Sequence, residues 1–237
     1  MRKTIIALFL ASVFCTMSNA QFVQSRQPVR KNVGAIIGAM EQINQQHNEA
    51  LKIREQIIKY MNSLDINTQD EEWKNKYLQR VIDRIDNAAD IYGSYSTALR
   101  TAERIGEDII NDQEIRARVE GNRQYRIYCE VVREEYSNVD VEKGFTEAIT
   151  LIKNYMNEHS MSIYQIERGN IHDIELGDCF FTLSLLYAYS EDHYKDWLYV
   201  TYLAGLCGDD SGKDITEKIK LKDHLNIMDG YNKEMFK

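Results

Sequence analysis

Five histidines and four cysteines are the residues of this 237-residue chain best able to hold a metal or attack a substrate. The histidines stand at 47, 159, 172, 193 and 224. A zinc peptidase would set two of them one helical turn apart around a glutamate base, as HExxH. A di-iron bundle would follow a glutamate with a histidine three residues on, as ExxH. Neither spacing occurs. His172 has Asp173 and Glu175 beside it, and His193 has Glu191 and Asp192. Either group could converge on a cation, but helices of an acidic protein carry such neighbours as ordinary solvated charge. No metal and no cofactor is expected.

The nucleophiles give as little. There is no CxxC, which a thioredoxin-like redox pair requires, and no GxSxG elbow. Cys179 and His172 lie too close in sequence to form a convincing nucleophile and base. Gly208-Asp-Asp-Ser-Gly-Lys213 approaches the phosphate-loop pattern, but Cys207 stands where that pattern needs glycine and Asp214 where it needs Ser or Thr. Its acidic residues also lack the alternation of a calcium loop. The stretch GDDSGKD reads as a solvated loop. With no catalytic set, the chain reads as non-enzymatic.

What the chain does carry is helical periodicity. Its one proline is Pro28, so no residue from 29 to 237 forces a helix to break. Val33, Ile36, Met40, Ile43, His47, Ala50, Arg54, Ile57, Met61 and Leu64 alternate three and four apart, an a/d seam over more than four heptads. One long helix follows, with His47 and Arg54 as polar interruptions whose long side chains can reach the rim of the seam. A polar link, 65–70, ends on Asp70, a candidate N-cap. A second stripe runs Leu78, Val81, Ile85, Ala88, Tyr92, Tyr95, Leu99, Ala102, Ile105 and Ile109, with Gly93-Ser94 as a point of bending.

A charged stretch follows, in which Arg116, Arg118, Arg123 and Arg126 alternate with Glu114 and Glu120 as a mixed solvated face. A helix is expected beyond Gly121, ending near Tyr136. Asp140 caps another, with Phe145, Ala148, Ile149, Ile152 and Met156 inward. Residues 161–207 are rich in Tyr, Leu and Phe and predict two buried helices, with Ser190 as the cap between them. The segment ITEKIKLKDHLNIM predicts a last helix. The fold expected is all-α: a long antiparallel helical hairpin over 31–111 and a smaller helical lobe over 112–237, packed at one end.

The chain opens MRKTIIALFLASVFCTMSNAQ, where a positive start, a short apolar run and small residues at the end predict a secretory signal peptide over 1–20. Cleavage after Ala20 leaves an extended leader over 21–30. The run is too short to cross a bilayer, and no later stretch is long enough. Cys15 raises lipidation as an alternative, against which Phe14 supplies a bulky residue where lipoprotein signals have a small one. Losing Arg2 and Lys3 moves the formal charge from −8 to −10. That excludes nucleic acid as an expected partner, since backbone binding needs a positive patch. An oxidising compartment would allow one disulfide among Cys129, Cys179 and Cys207, with Cys179 and Cys207 the preferred pair. All three as small buried hydrophobes is the equal alternative.

The cleaved leader ending QPV, followed by the Gln/Asn-rich helix GAMEQINQQHNEALK, resembles the minor pilus subunits of conjugative type IV secretion systems. The resemblance covers residues 1–110. It implies an exported helical protein tied to pilus assembly or adhesion, and carries no catalytic residues. The expected function is a secreted, periplasmic or cell-surface interaction subunit of a bacterial envelope assembly. Its partners would be other envelope or pilus proteins or further copies of itself, met through His47, Arg54, Tyr92 and Tyr95. The alternative is an extracytoplasmic ligand-binding or sensor module, with a pocket lined by residues 180–203 of the aromatic lobe.

Overall fold

The computed structural model describes residues 30–92, 95–190, 192–219 and 233–236. The signal segment, the leader up to Val29, His224 and most of the expected last helix lie outside them; Arg30, the expected end of the leader, opens the first helix. The described residues are helical and contain no strand. They form two units. One holds the chain up to Met61 together with Tyr77–Asp108; the other holds Asn62–Lys76 and the chain from Ile109 onward.

The first unit is built on α1 (Arg30–Ser63), most of α2 (Glu71–Tyr92) and most of α3 (Tyr95–Asn111). The seam residues Ala50, Ile57 and Met61 are buried with Val81, Ile85 and Ala88 of α2 and Ala98, Ala102 and Ile105 of α3. Arg54 of α1 meets Asp86 of α2 across a link of only seven residues, so the two helices run antiparallel.

The second stripe belongs to two helices where one bent helix was expected. Gly106 of α3 packs beside Ile53 of α1, its Cβ position 3.9 Å from that side chain, and the Tyr95 ring meets the His47 ring. Both numbers rise together, so α3 runs parallel to α1 and the chain turns back between α2 and α3. Gly93-Ser94, the expected point of bending, lies outside the described residues.

The reversal makes α1 the longest helix of its unit. With Arg54 opposite Asp86 and Gly106 beside Ile53, α2 ends at the level of about residue 48 and α3 begins at that of about residue 42, so the turns of α1 before that level extend past both. No residue from Gly34 to Glu49 is buried. About 12 residues at 1.5 Å each project for roughly 18 Å.

The second unit is built around α7 (Ile174–Tyr189) and α8 (Tyr194–Cys207), which form a helical hairpin. Around it lie α4 (Gln113–Glu135), α5 (Val141–Glu158), the short α6 (Ile163–Glu167) and α9 (Asp210–Ile219). A helix that is apolar on every side must be covered on every side, and α8 is: all eight residues from Trp197 to Ala204 are buried. Tyr125 ties α4 to this hairpin. Its hydroxyl accepts from the His193 N–H at 3.1 Å and donates to the Tyr187 carbonyl at 3.4 Å.

The caps explain most of the helix starts. Asp112 accepts from the Glu114 and Ile115 N–H groups, Asp140 from Lys143, and Asp173 from Leu176. Each satisfies orphan donors at a first turn. Ser190 closes α7 instead of opening α8: its Oγ donates back to the Leu186 carbonyl at 3.0 Å.

Two expectations fail for one reason. Gly121 does not divide α4, and GDDSGKD is not a loop, since α9 starts at Asp210. In both places glycine serves close packing. A Cβ on Gly121 would lie 2.5 Å from the Tyr194 hydroxyl, and one on Gly212 would lie 2.6 Å from the Gly205 nitrogen of α8. Asp209 caps α9 by accepting from the Gly212 N–H at 2.6 Å. Gly208, at φ 113°, supplies the left-handed turn that ends α8.

Candidate functional site

The residues singled out for partner contact are engaged within their own unit. The Arg54 guanidinium donates to both carboxylate oxygens of Asp86, at 3.1 and 3.3 Å. The His47 ring meets Tyr95 edge-on at 4.7 Å between centroids. The Tyr92 side chain lies outside the described residues. These contacts hold α1 against its neighbours in the first unit.

The exposed apolar groups lie elsewhere on the same helix. Ile37 and Met40 are 51% and 48% exposed, and Ile36 and Ile43 are half-buried beside them. Leu51 and Tyr60 follow further along. On the projecting turns this apolar face is flanked by Glu41, Gln42 and Gln45, all exposed. The residues between Gly34 and Glu49 include no lysine or arginine.

The other described histidines each make a contact within the fold. His172 Nδ1 sits 2.8 Å from the Cys207 carbonyl, an acceptor, so this nitrogen carries the proton. His159 stacks on Tyr155 at 4.2 Å. His193 Nδ1 lies 3.2 Å from Asp196. Among the described residues no three of His, Cys, Asp and Glu gather as metal ligands would. Tyr155 donates to Asp173 at 3.1 Å and to Glu175 at 3.4 Å. Partial burial, then those two carboxylates, push its hydroxyl up to about 12.

Cys129, Cys179 and Cys207 are free thiols, so the expected bond between Cys179 and Cys207 is not formed. Burial raises all three thiols and pushes Cys207 up to about 12; Asp173 adds to the shift at Cys207, and Asp178, Asp173 and Glu175 to that at Cys179. The thiolate is the reactive form, so a raised pKa means slow alkylation. Iodoacetamide at pH 8 should therefore modify Cys179, which is half-buried, while Cys129 and Cys207 react only after unfolding. Peptide mass mapping checks this, and rapid native labelling of Cys207 would contradict it.

The second unit buries an ion-pair cluster. Arg118, expected on a solvated face, is 4% exposed, whereas Arg116, Arg123 and Arg126 are exposed. Its Nη1 pairs with Asp70 at 2.8 Å and its Nη2 with Glu114 at 3.0 Å. Its guanidinium lies 4.0 Å from the centre of the Trp73 ring. The Asp70 carboxylate thus faces Arg118, with Lys195 a further 3.9 Å contact. Asn67 and Gln69 complete the clamp. Asn67 donates to Asn122 at 3.0 Å, while Gln69 donates to the Asp192 carbonyl and accepts from the Lys195 N–H. The link between α1 and α2 is in this way bound to α4 and to the start of α8. Asp70 and Arg118 are buried and face one another, with Glu114 and Lys195 partly exposed at the edge of the cluster.

Comparison with family models, with curated proteins and with solved structures yields no match for this chain.

Among the described residues two surfaces stand out. One is the projecting part of α1. The other is a cavity of about 470 Å³ in the second unit, between α5, α6 and the 3₁₀ turn Lys233–Phe236. Residues 180–203, expected to line a pocket, do not line this one. Phe180, Leu183, Trp197, Leu198, Tyr199 and Val200 are instead fully buried in the core, where their packing leaves them no access to a ligand. Among the described residues no helix is long and apolar enough to cross a membrane.

Proposed function

We propose that this chain is an exported, non-enzymatic helical subunit of a bacterial envelope assembly, of the conjugative secretion kind that its first 110 residues resemble. It engages a partner helix or groove through the projecting turns of α1. The observation that carries this reading is the seam outrunning its cover. The three-four spacing of apolar residues begins well before Ala50, yet Ala50 is the first buried residue of α1 among those described. An amphipathic helix that leaves its apolar face uncovered is suited to lie in a partner's groove, read through anchors at i, i+3, i+4 and i+7. Ile36, Met40 and Ile43 supply such a row.

The test uses Ile37→Asp and Met40→Asp in the full chain. Both positions are about half exposed, so neither change should unfold the protein. Co-fractionation with a large envelope complex should fall at least about tenfold, the effect of losing roughly 1.4 kcal/mol at an interface. Association that survives both changes, or a full-length precursor held in the cytoplasm, would overturn the proposal.

A further inference from the structure

The side chains around the cavity of the second unit divide into those already engaged and those without a partner. Its apolar wall is fixed from the core. Met156 is buried, and the buried Phe236 ring meets Phe180 edge-on at 5.4 Å between centroids. Met161 and Ile163, both half-buried, extend that wall. Glu167 is engaged, since the Tyr199 hydroxyl donates to its Oε1 at 3.1 Å. Ser162 is engaged as well, in reciprocal capping bonds with Gln165.

Lys153 and Asn157 differ from these. Both line the cavity, and among the described residues neither side chain makes a hydrogen bond or an ion pair. They stand one turn apart on α5, so they are neighbours on one face of that helix, with roughly 5–6 Å between their Cβ atoms. Lys153 is half-buried, and the attraction between an ammonium and an anion strengthens as water is displaced from around it. An ammonium has donors and no acceptor, and the Asn157 amide supplies a further N–H donor. Two neighbouring donors, one of them charged, suit the two oxygens of a carboxylate.

The rest of the cavity decides what that carboxylate belongs to. Its volume, about 470 Å³, lies in the range of small-molecule sites, about 300–1,000 Å³. A second charge on the ligand would be stranded against the apolar wall, where an unpaired charge is costly. A second carboxylate would in addition meet Glu167. A hydrocarbon body meets neither penalty, and flexible Met side chains adapt to its shape.

We infer that this cavity binds a small aliphatic monocarboxylate, of the medium-chain fatty-acid class. Lys153 and Asn157 hold the carboxylate, and the chain lies against Met156, Met161, Ile163 and Phe236. This inference concerns the second unit and is independent of the surface on α1.

The test is calorimetric titration of the full chain with octanoate, octanol and suberate. Octanoate should bind. Octanol has the same tail without the charge, and suberate carries a second carboxylate at its far end; each should bind at least about tenfold more weakly. Lys153→Met should weaken octanoate by a similar factor and Asn157→Ala by about fivefold, the usual difference between a charged and a neutral hydrogen bond. Both variants should keep the melting temperature of the free protein within about 2 °C, as expected for side chains without a partner. Absence of heat with octanoate at millimolar concentration would overturn the inference. So would octanol or suberate binding as tightly as octanoate, or a folded Lys153→Met variant that binds octanoate unchanged.

Discussion

Replacing Arg118 by methionine should destabilise the second unit by about 3–5 kcal/mol, the usual cost of breaking a buried ion pair from one side. For a chain of this size that is a fall in Tm of roughly 6–20 °C. The substitution keeps much of the side-chain volume but strands Asp70, 2% exposed, with only Lys195 nearby at 3.9 Å. It also removes the cation from the face of Trp73.

The same account predicts how the loss is recovered. Asp70 Oδ2 and Arg118 Nε are buried without hydrogen-bond partners, so even the intact pair is incompletely satisfied. A partly satisfied buried pair is often no better than apolar residues of like volume. Asp70→Leu combined with Arg118→Met should therefore be much more stable than the sum of the single changes. Thermal unfolding of the four proteins in the cycle measures this. Strict additivity would mean that the pair does not couple and that the clamp depends on Asn67 and Gln69 alone.

Gly212→Ala should have the second largest effect, and its sign is instructive. Alanine in a helix interior is ordinarily favoured over glycine by about 1 kcal/mol. At Gly212 the new Cβ would sit 2.6 Å from the Gly205 nitrogen and 2.9 Å from the Thr201 carbonyl oxygen, both backbone atoms of α8. Backbone cannot swing aside as a side-chain tip can, so α9 must lift off α8. Overpacking of this kind costs about 1–3 kcal/mol or more. We expect a net loss of about 2 kcal/mol and a Tm fall of roughly 4–8 °C. Gly34→Ala is the control, because a Cβ there meets nothing within 4 Å. It should leave Tm unchanged or raise it slightly.

These two sites also show what was legible in the sequence. Local signals survived into the structure. The seam of α1 follows from the three-four spacing of Ile36, Met40, Ile43 and Ala50. The start of α5 follows from Asp140, and the burial of α8 from an apolar run with no polar stripe. Signals that depend on distant residues did not. Gly121 reads as a helix breaker until Tyr194, 73 positions later, comes to rest against it. Gly212 reads as part of a loop until Gly205 of the neighbouring helix needs its missing side chain. Arg118 looks like one of four solvated arginines, because nothing local distinguishes it. Its difference lies in Asp70 and Trp73, more than forty positions earlier. That α2 and α3 are separate helices was hidden in the sequence, because the apolar spacing runs on from Tyr92 to Tyr95 and Leu99 and suggested a single bent rod.

The surface residues teach a similar lesson. His47 and Arg54 drew notice as polar groups in an apolar seam, and the structure uses them inside the first unit. The apolar residues before them, ordinary by type, are the ones left uncovered. Periodicity shows which face of a helix is greasy. It does not show how much of that face the rest of the chain will cover, which depends here on where α2 ends and α3 turns back.

The most direct test is site-specific photocrosslinking in living cells, with the probe at Met40 in one protein and at Lys143 in another. Lys143 is exposed on the second unit and serves as the surface control. A discrete crosslinked species from position 40, absent from position 143 and lost when Ile37→Asp is added, is the result expected. No crosslink from position 40 in a correctly folded, exported protein, or an equal one from both positions, would contradict the account.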